Sequence, residues 1–354
     1  MAEDPRPQAI DWDLALATAR RLSPSGPELP ADEARAAVTS LRALAREAVD
    51  PVRETTGLVA PEASSTAVVD RGAWAASNIA GMRMLLESWD ELAERTESAP
   101  AVVRGLGSRG TALQLGAVLA WLSTKVLGQF EIFVAPGQPG RLLLVAPTIV
   151  QVEQQLALDS RDFRLWVCLH EETHRVQFGA VPWLAEHLTG RISALLAASD
   201  LSTRETAERL VAFVYALLRS VRGGTDVSLI EALQTPEQRA IFDELTGIMS
   251  LLEGHADVVM DEVGPAVVPS VVEIRERFSA RRENLGGVES LARRAMGMDA
   301  KMRQYSEGAS FVRHVMGEVG MSGFNRVWTA PEYLPTREEI LEPRDWVARV
   351  SLLP

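Results

Sequence analysis

Apolar residues recur at three- and four-residue intervals along most of this 354-residue chain, and this spacing constrains the fold more than any other feature. The period places apolar side chains on one face of an α-helix, which must then pack against another element. The sequence therefore predicts a mainly α protein. The predicted helices cover 10–22, 31–48, 72–96, 111–128, 149–157, 160–178, 181–197, 202–222, 235–263, 270–284, 288–297 and 299–319.

One segment, QFEIFVAPGQPGRLLLVAP at 129–147, breaks the helical pattern. Two short apolar runs flank APGQPG, whose Pro and Gly residues favour a turn. We predict a small β-hairpin or short sheet here, immediately before the helix at 160–178. The second run, LLLVA at 142–146, is equally compatible with a core strand and with an edge strand that aligns an extended peptide by main-chain pairing.

The organisation into domains is less sharply marked. Pro and Gly punctuate residues 98–110, which makes this stretch a candidate boundary. We predict an N-terminal helical region, 1–100, whose helices could cover a cleft, and a second region, 101–354. Because length is compatible with one large domain or with two, the regions could also form one continuous domain.

Charge and composition argue against several classes of protein. The net charge of −12 disfavours a nucleic-acid partner, since phosphate binding requires a surplus of Lys and Arg. The single cysteine, Cys168, permits no intramolecular disulfide. The N-terminus lacks the pattern of a secretory signal, and the most apolar stretch, LGAVLAWLSTKVLG, is too short to span a bilayer. We predict a cytoplasmic protein with neither a nucleic-acid nor a membrane partner, and the oligomeric state stays open.

Two of the five histidines lie in WVCLHEETHRVQFG, where HEETH fits the pattern HExxH. On a helix, His170 and His174 lie about 40° apart around the axis, one turn apart, so both imidazoles can reach one metal ion. Glu171 lies about 100° from His170, where it can take a proton from a water molecule held by that ion. Imidazole ligands and an open position for water suit Zn²⁺.

A chance match on a core helix is the alternative to a metal site. The helical context favours the metal, because Ser160 is a plausible N-cap and large apolar residues flank the histidines. Two neutral histidines on such a helix need polar partners, which a metal ion provides. Cys168 lies roughly 160–200° from His170, so we predict a buried apolar role for it and not a ligand role.

The third metal ligand is expected in MSLLEGHADVVMDEVG, 249–264, because a catalytic zinc usually has three protein ligands and a water. Glu253 and Asp257 are four apart and share a helix face, whereas His255 points almost opposite. We predict Glu253 as the ligand and Asp257 as the partner of a ligand histidine's second ring nitrogen. His255 or Asp257 as the ligand, and a solvated face for the two carboxylates, stay open.

Five segments together resemble a known family. In chain order they are RGTALQLGAVLAWLSTKVLGQF, HEETHRVQF, LLEGHADVVMDEVG, KMRQYSEGASFV and GFNRVW. They resemble the zincin-like metallopeptidases known mainly from actinobacteria, a family often labelled, from genome context, as associated with deazaflavin coenzyme biosynthesis. The resemblance begins near residue 70 and implies a zinc-dependent hydrolase with a mainly helical zincin-like fold. It does not imply a particular substrate.

The predicted activity is hydrolysis of a peptide or small amide. Glu171 would accept the proton of the attacking water and pass it to the leaving amine. Tyr305, on one helical stripe with Lys301 and Gly308, is the candidate for stabilising the oxyanion, although a packing role at a helix seam is the alternative. Gln177, next to the histidines, is expected to line the pocket.

Two other classes of protein compete with this interpretation. A di-iron carboxylate bundle requires two Glu-x-x-His motifs, and the chain supplies one, from Glu171 to His174. A non-catalytic zinc-binding scaffold, such as a degenerate peptidase, is the second. Structural zinc sites are closed and usually Cys-rich, so two histidines and a carboxylate with Glu171 beside them are more typical of catalysis.

Overall fold

Helices dominate the computed structural model, which describes residues 10–60, 64–87, 101–134, 138–197, 235–283 and 298–353. Within these ranges, the side chains of 101–107, 196–197, 281–283 and 298–306 are not described. The helices are α1 (Trp12–Leu22), α2 (Ala31–Glu47), α3 (Val49–Thr56), α4 (Arg71–Glu87), α5 (Ala101–Ser123), α6 (Ala146–Leu156), α7 (Ser160–Ala180), α8 (Pro182–Ala197), α9 (Pro236–Val267), α10 (Val271–Glu283), α11 (Met298–Phe324), α12 (Arg337–Leu341) and α13 (Pro343–Ser351).

The prediction of a mainly α fold is confirmed. The predicted helices at 202–222 and 288–297 lie outside the described residues. Helix α5 begins at Ala101, so the Gly residues that made 98–110 a candidate boundary lie inside a helix. Within the described ranges, no helix is both long and apolar enough to cross a membrane. Cytoplasmic localisation stays a prediction.

Three strands form a small sheet in the order β1-β3-β2, where β1 is Ser65–Val69, β2 is Gly128–Phe130 and β3 is Arg141–Val145. Strands β2 and β3 pair antiparallel, which confirms the predicted hairpin. Strand β1, which the sequence pattern did not reveal, adds in parallel to the other side of β3. Because β3 is central, the suggestion that 142–146 is an edge strand for a peptide is wrong, and β2 is an edge strand of the sheet.

Helix α7 is buried on most of its surface, since it packs against α2, α9 and the sheet. Its N-cap is Asp159, whose side chain accepts a hydrogen bond of 2.9 Å from the Asp162 backbone N–H. The expectation that Ser160 is the N-cap is therefore wrong. Ser160 is the first helical residue, and its hydroxyl lies 2.6 Å from Glu153 Oε1.

Helices α9 and α11 cross with their backbones in contact. A Cβ atom on Gly254 would collide with the backbone of Gly308, and one on Gly308 would collide with the carbonyl of Ser250. Glycine at both positions is what allows this approach. The crossing fixes the segment of α9 that carries Glu253.

Among the described residues, the buried apolar side chains form two clusters that each combine early and late parts of the chain. One cluster includes Trp74 and Leu251, and the other includes Leu41, Phe163 and Val259. Burying each large apolar side chain of this kind stabilises the fold by about 1.5–3 kcal/mol. The division into regions near residue 100 stays a prediction.

Candidate metal centre

Three side chains converge where α9 crosses α7. The Nε2 atoms of His170 and His174 lie 3.2 Å apart, and their rings are perpendicular. Glu253, on α9, places Oε2 3.6 Å from His170 Nε2 and Oε1 3.6 Å from His174 Nε2. Each residue therefore offers one ligand atom, and these atoms all lie within 4.8 Å of one another.

This arrangement fits a divalent metal. Two ligand atoms at tetrahedral zinc distances of 2.0–2.1 Å stand about 3.4 Å apart, which is close to the observed separations. Glu253 is buried, and only 12% of the His174 side chain is exposed. This partial burial lowers the pKa of His174, which favours the neutral imidazole that a metal binds. A cation bound here would also offset the cost of burying the charge of the Glu253 carboxylate.

Glu171, the residue predicted to be the catalytic base, directly follows His170 on α7. Its carboxylate is buried against β2, since a Cβ atom built on Gly128 would lie 2.5 Å from Glu171 Cγ and Cδ. Glu171, His174 and Glu253 line the same pocket. The close approach of Gly128 to Glu171 was not predicted, because the apolar pattern placed residue 128 at the end of a helix, although a glycine in a strand is a signal for close backbone approach.

The pocket beside these residues has a volume of about 140 Å³. Helix α4, from the N-terminal region, supplies one wall, and α8, α9 and the strand edge of β2 supply others. Most of the walls are apolar, and the side chains that form them include Met82, Leu85, Ile132, Phe133, Phe178, Leu188, Ile192, Met249 and Leu252. A metal-ligand group bordering an apolar cavity is the arrangement expected of a small-molecule or peptide site.

Comparison with known proteins agrees with this geometry. A sequence model described as zincin-like metallopeptidase matches residues 10–347. The chain belongs to the zincin-like metallopeptidase family. Neither the actinobacterial distribution nor the link to deazaflavin biosynthesis is tested by this match, and both stay predictions.

A solved structure is also similar to this zincin-like metallopeptidase. It is a crystal structure from Chloroflexus aurantiacus, described as that of a candidate hydrolase with a novel fold. It shares 29% sequence identity with a TM-score of 0.67, and the match covers 98% of this chain and 100% of the other. A comparison with curated proteins gave no match.

The second ring nitrogen of His174 is held by Gln177 in this zincin-like metallopeptidase. Gln177 Oε1 lies 2.8 Å from His174 Nδ1, and Gln177 Nε2 lies 2.9 Å from the carbonyl oxygen of Leu252 and 3.0 Å from His255 Nδ1. His255 is fully buried and is not part of the metal-ligand group. Burial, and the nearby His174, lower the pKa of His255 to about 3, so this ring is neutral.

Asp257 was predicted to hydrogen-bond the second ring nitrogen of a ligand histidine. For His174 that partner is Gln177. Asp257 is half-buried one turn after Glu253, and its backbone carbonyl accepts a 3.0 Å hydrogen bond from Arg275. His170 Nδ1 lies 3.3 Å from Met260 Sδ. An interaction of the Asp257 carboxylate with His170 stays a prediction.

Two further sequence predictions concern Tyr305 and Cys168. Tyr305 belongs to α11, but its side chain lies outside those described. Cys168 is completely buried in the core, as predicted. Burial raises the pKa of its thiol far above the ordinary value, which leaves it unreactive.

A buried ion pair lies beside the candidate metal ligands on α7. Glu172 and Arg175 are joined at 2.6 Å. Burial raises the pKa of Glu172, and the hydrogen bond from Arg175 opposes this. Arg175 also lies 3.4 Å from the carbonyl oxygen of Ser64, next to β1, so the pair ties α7 to the start of the sheet.

Proposed function

We propose that this protein is a zinc-dependent metallopeptidase that cleaves a peptide or amide bond, with His170, His174 and Glu253 as metal ligands and Glu171 as general base. The observation that carries the proposal is the convergence of these ligands beside a pocket that Glu171 also lines. Zinc would supply a Lewis acid that polarises the scissile carbonyl and lowers the pKa of the attacking water.

Glu171 holds and moves the proton in this scheme. Its carboxylate accepts a proton from the attacking water and passes it to the leaving nitrogen as the bond breaks. The packing of Glu171 against Gly128 limits the positions that the carboxylate can take, which keeps it directed at the pocket. Such positioning is worth several orders of magnitude in rate when the reacting atoms are aligned.

The edge of β2 supports an extended peptide as the substrate. Glu131 N–H donates to the Arg141 carbonyl at 2.9 Å, and Val145 N–H donates to the Leu127 carbonyl at 2.8 Å. By the alternation of an antiparallel pair, the backbone groups of Gly128 and Phe130 point away from β3. A substrate strand could pair with them while one side chain enters the apolar pocket.

The pocket volume supports one bulky apolar substrate side chain. The 140 Å³ available is close to the roughly 150 Å³ of an engineered apolar protein cavity that binds benzene. A Phe or Leu side chain is of that size class, whereas a charged side chain would lose its hydration without gaining partners there. The same pocket would accept the apolar part of a small amide.

Tyr305 and Asp257 complete the proposed site. Gly308, one turn after Tyr305, contacts Gly254, which directly follows Glu253, so the α11 backbone passes near the metal ligands at that level. This supports Tyr305 as a donor to the developing oxyanion. Asp257, on the Glu253 face of α9, is proposed to orient His170.

Glu171→Gln is the decisive experiment. The variant should keep stoichiometric zinc, measured by metal analysis, and lose at least roughly 100-fold in hydrolysis of a peptide library, since a general base typically contributes that much or more. Glu186→Gln, an exposed substitution on α8, is the matched control and should leave both unchanged. Zinc binding without hydrolysis by the wild-type protein would instead indicate a non-catalytic zinc-binding scaffold.

A further inference from the structure

We propose that Gln177 is a positioning residue that fixes the tautomer of His174, and that the backbone carbonyl of Leu252 determines which end of the Gln177 amide faces His174. The inference deepens the proposed function and rests on it for the role of His174 as a ligand. Helix α9 then carries Glu253 and also determines, through Leu252 and Gln177, which ring nitrogen of His174 can bind the metal.

The direction follows from which groups can donate and which can only accept. The Leu252 carbonyl lies 2.9 Å from the Gln177 amide, and a carbonyl only accepts hydrogen bonds. The end of the Gln177 amide that faces this carbonyl must therefore be its NH₂ group. The amide oxygen then faces His174 at 2.8 Å.

The amide oxygen in turn determines the proton on the imidazole. Because that oxygen only accepts, His174 Nδ1 must carry the hydrogen, and the lone pair of the neutral ring is left on Nε2. Nε2 is the atom 3.2 Å from His170 Nε2 and 3.6 Å from Glu253 Oε1. The tautomer that can bind a metal at this place is thus the one that Gln177 selects.

His255 explains why the Gln177 amide does not rotate away from this arrangement. Its Nδ1 lies 3.0 Å from the same NH₂ group, which can donate one hydrogen to Leu252 and the other to His255. The ring of His255 packs against Phe324 and Trp328, with ring centroids 5.1 and 5.4 Å away. Gln177 itself is fully buried, so water does not compete for these hydrogen bonds.

Packing of α9 on α7 therefore has two linked effects. Leu252 and Glu253 are adjacent in sequence, so the packing that brings the third ligand also brings the carbonyl that orients Gln177. Helix α7 alone would present two histidines, but His174 could then place its proton on either nitrogen. The same turn of α9 therefore provides the third ligand, Glu253, and the Leu252 carbonyl that fixes the tautomer of His174 through Gln177.

The tautomer can be measured directly in the wild-type protein. Long-range ¹H–¹⁵N spectra of the histidine rings distinguish Nδ1–H from Nε2–H, and the chain has only five histidines to assign. In the metal-free protein, His174 should be protonated on Nδ1. Protonation of His174 on Nε2 would overturn the inference without any variant being made.

Substitution tests the consequence for zinc. Gln177→Leu removes the acceptor and should weaken zinc binding roughly 10- to 100-fold, measured by competition with a chromophoric chelator. Gln177→Glu should recover most of that loss, because its carboxyl group restores an acceptor for Nδ1–H. A variant with Leu that binds zinc as tightly as the wild type, or a Glu variant that recovers nothing, would contradict the inference.

Thr173→Val is the matched control for general loosening of the helix. Thr173 is also fully buried on α7, and its hydroxyl donates a 2.9 Å hydrogen bond to the Leu169 carbonyl. This variant should change zinc affinity less than about threefold, and an effect equal to that of Gln177→Leu would count against a specific role. Absence of zinc binding in the wild type would refute the proposed function, whereas Nδ1–H on His174 would still support the tautomer assignment.

Discussion

Gly128 lies directly against the carboxylate of Glu171, so that a Cβ atom on Gly128 would stand 2.5 Å from Glu171 Cδ and 2.7 Å from its Oε1. The strand edge that borders the pocket and the predicted general base are therefore in contact at a position where an added side chain would displace the Glu171 carboxylate. This contact links the backbone of β2 to the chemistry proposed for α7.

Gly128→Ala should lower the turnover number without removing zinc. The added methyl group must displace the Glu171 side chain, and a shift of about 1 Å at a reacting group can cost on the order of 100-fold in rate. Steady-state kinetics and metal analysis test this. Gly190→Ala is the control, because its Cβ would meet nothing within 4 Å, and it should leave the turnover number unchanged. Equal turnover in Gly128→Ala and wild type would show that Glu171 is not held by this contact.

Glu253→Ala should abolish tight zinc binding. Removing a direct ligand should weaken zinc affinity by more than the roughly 10- to 100-fold that is typical of residues behind the ligands. Chelator competition measures the change, and His255→Ala is the comparison that decides between the alternatives for the third ligand. Retention of zinc by Glu253→Ala, together with its loss from His255→Ala, would mean that the ligand set is wrong.

Gly254→Ala should destabilise the protein through the crossing of α9 and α11. The methyl group would collide with the backbone of Gly308, which cannot move aside as a flexible side chain can. Overpacking of this kind costs about 1–3 kcal/mol, sometimes more. Urea unfolding measures it, and Gly317→Ala on α11, where the Cβ meets nothing within 4 Å, should be neutral or slightly stabilising. An equal effect of the two substitutions would argue against a backbone contact at the crossing.

The ion pair between Glu339 and Arg349 should make stability depend on pH in the acid range. Burial alone would raise the pKa of Glu339, but hydrogen bonds from Arg349 and the Thr336 backbone outweigh it and lower that pKa. Because the pKa is lower in the folded state, the stabilisation is complete above the unfolded value of about 4.3 and is lost as the pH falls through the folded value.

Glu339→Gln isolates this contribution. The difference in free energy of unfolding between wild type and variant should be largest above about pH 5 and should shrink below about pH 4. Urea unfolding at a series of pH values measures it. A difference that stays constant from pH 7 to pH 3 would show that the ionised form of Glu339 contributes nothing.

The helical class, the hairpin and the pair of histidines could all be predicted from the sequence because each depends on local geometry. Residues four apart on a helix face the same side whatever surrounds them, so HEETH specified the pair on α7. The turn-rich APGQPG between apolar runs specified the hairpin in the same way. Asp159 and Ser160 are both good N-caps, so local chemistry could not choose between them, and the contact between Ser160 and Glu153 did.

Tertiary structure decided everything that requires distant segments to meet. The sequence grouped Glu253, Asp257 and His255 as candidates, but only the packing of α9 on α7 brought Glu253 to the histidines and left His255 behind Gln177. Strand β1 is only five residues long and pairs with a strand far along the chain, so its apolar pattern carried too little signal to predict it. Without β1, the central position of β3 could not be predicted either. The sequence determines the local spacing of side chains, whereas the free energy of packing the whole core determines which helix and sheet faces meet.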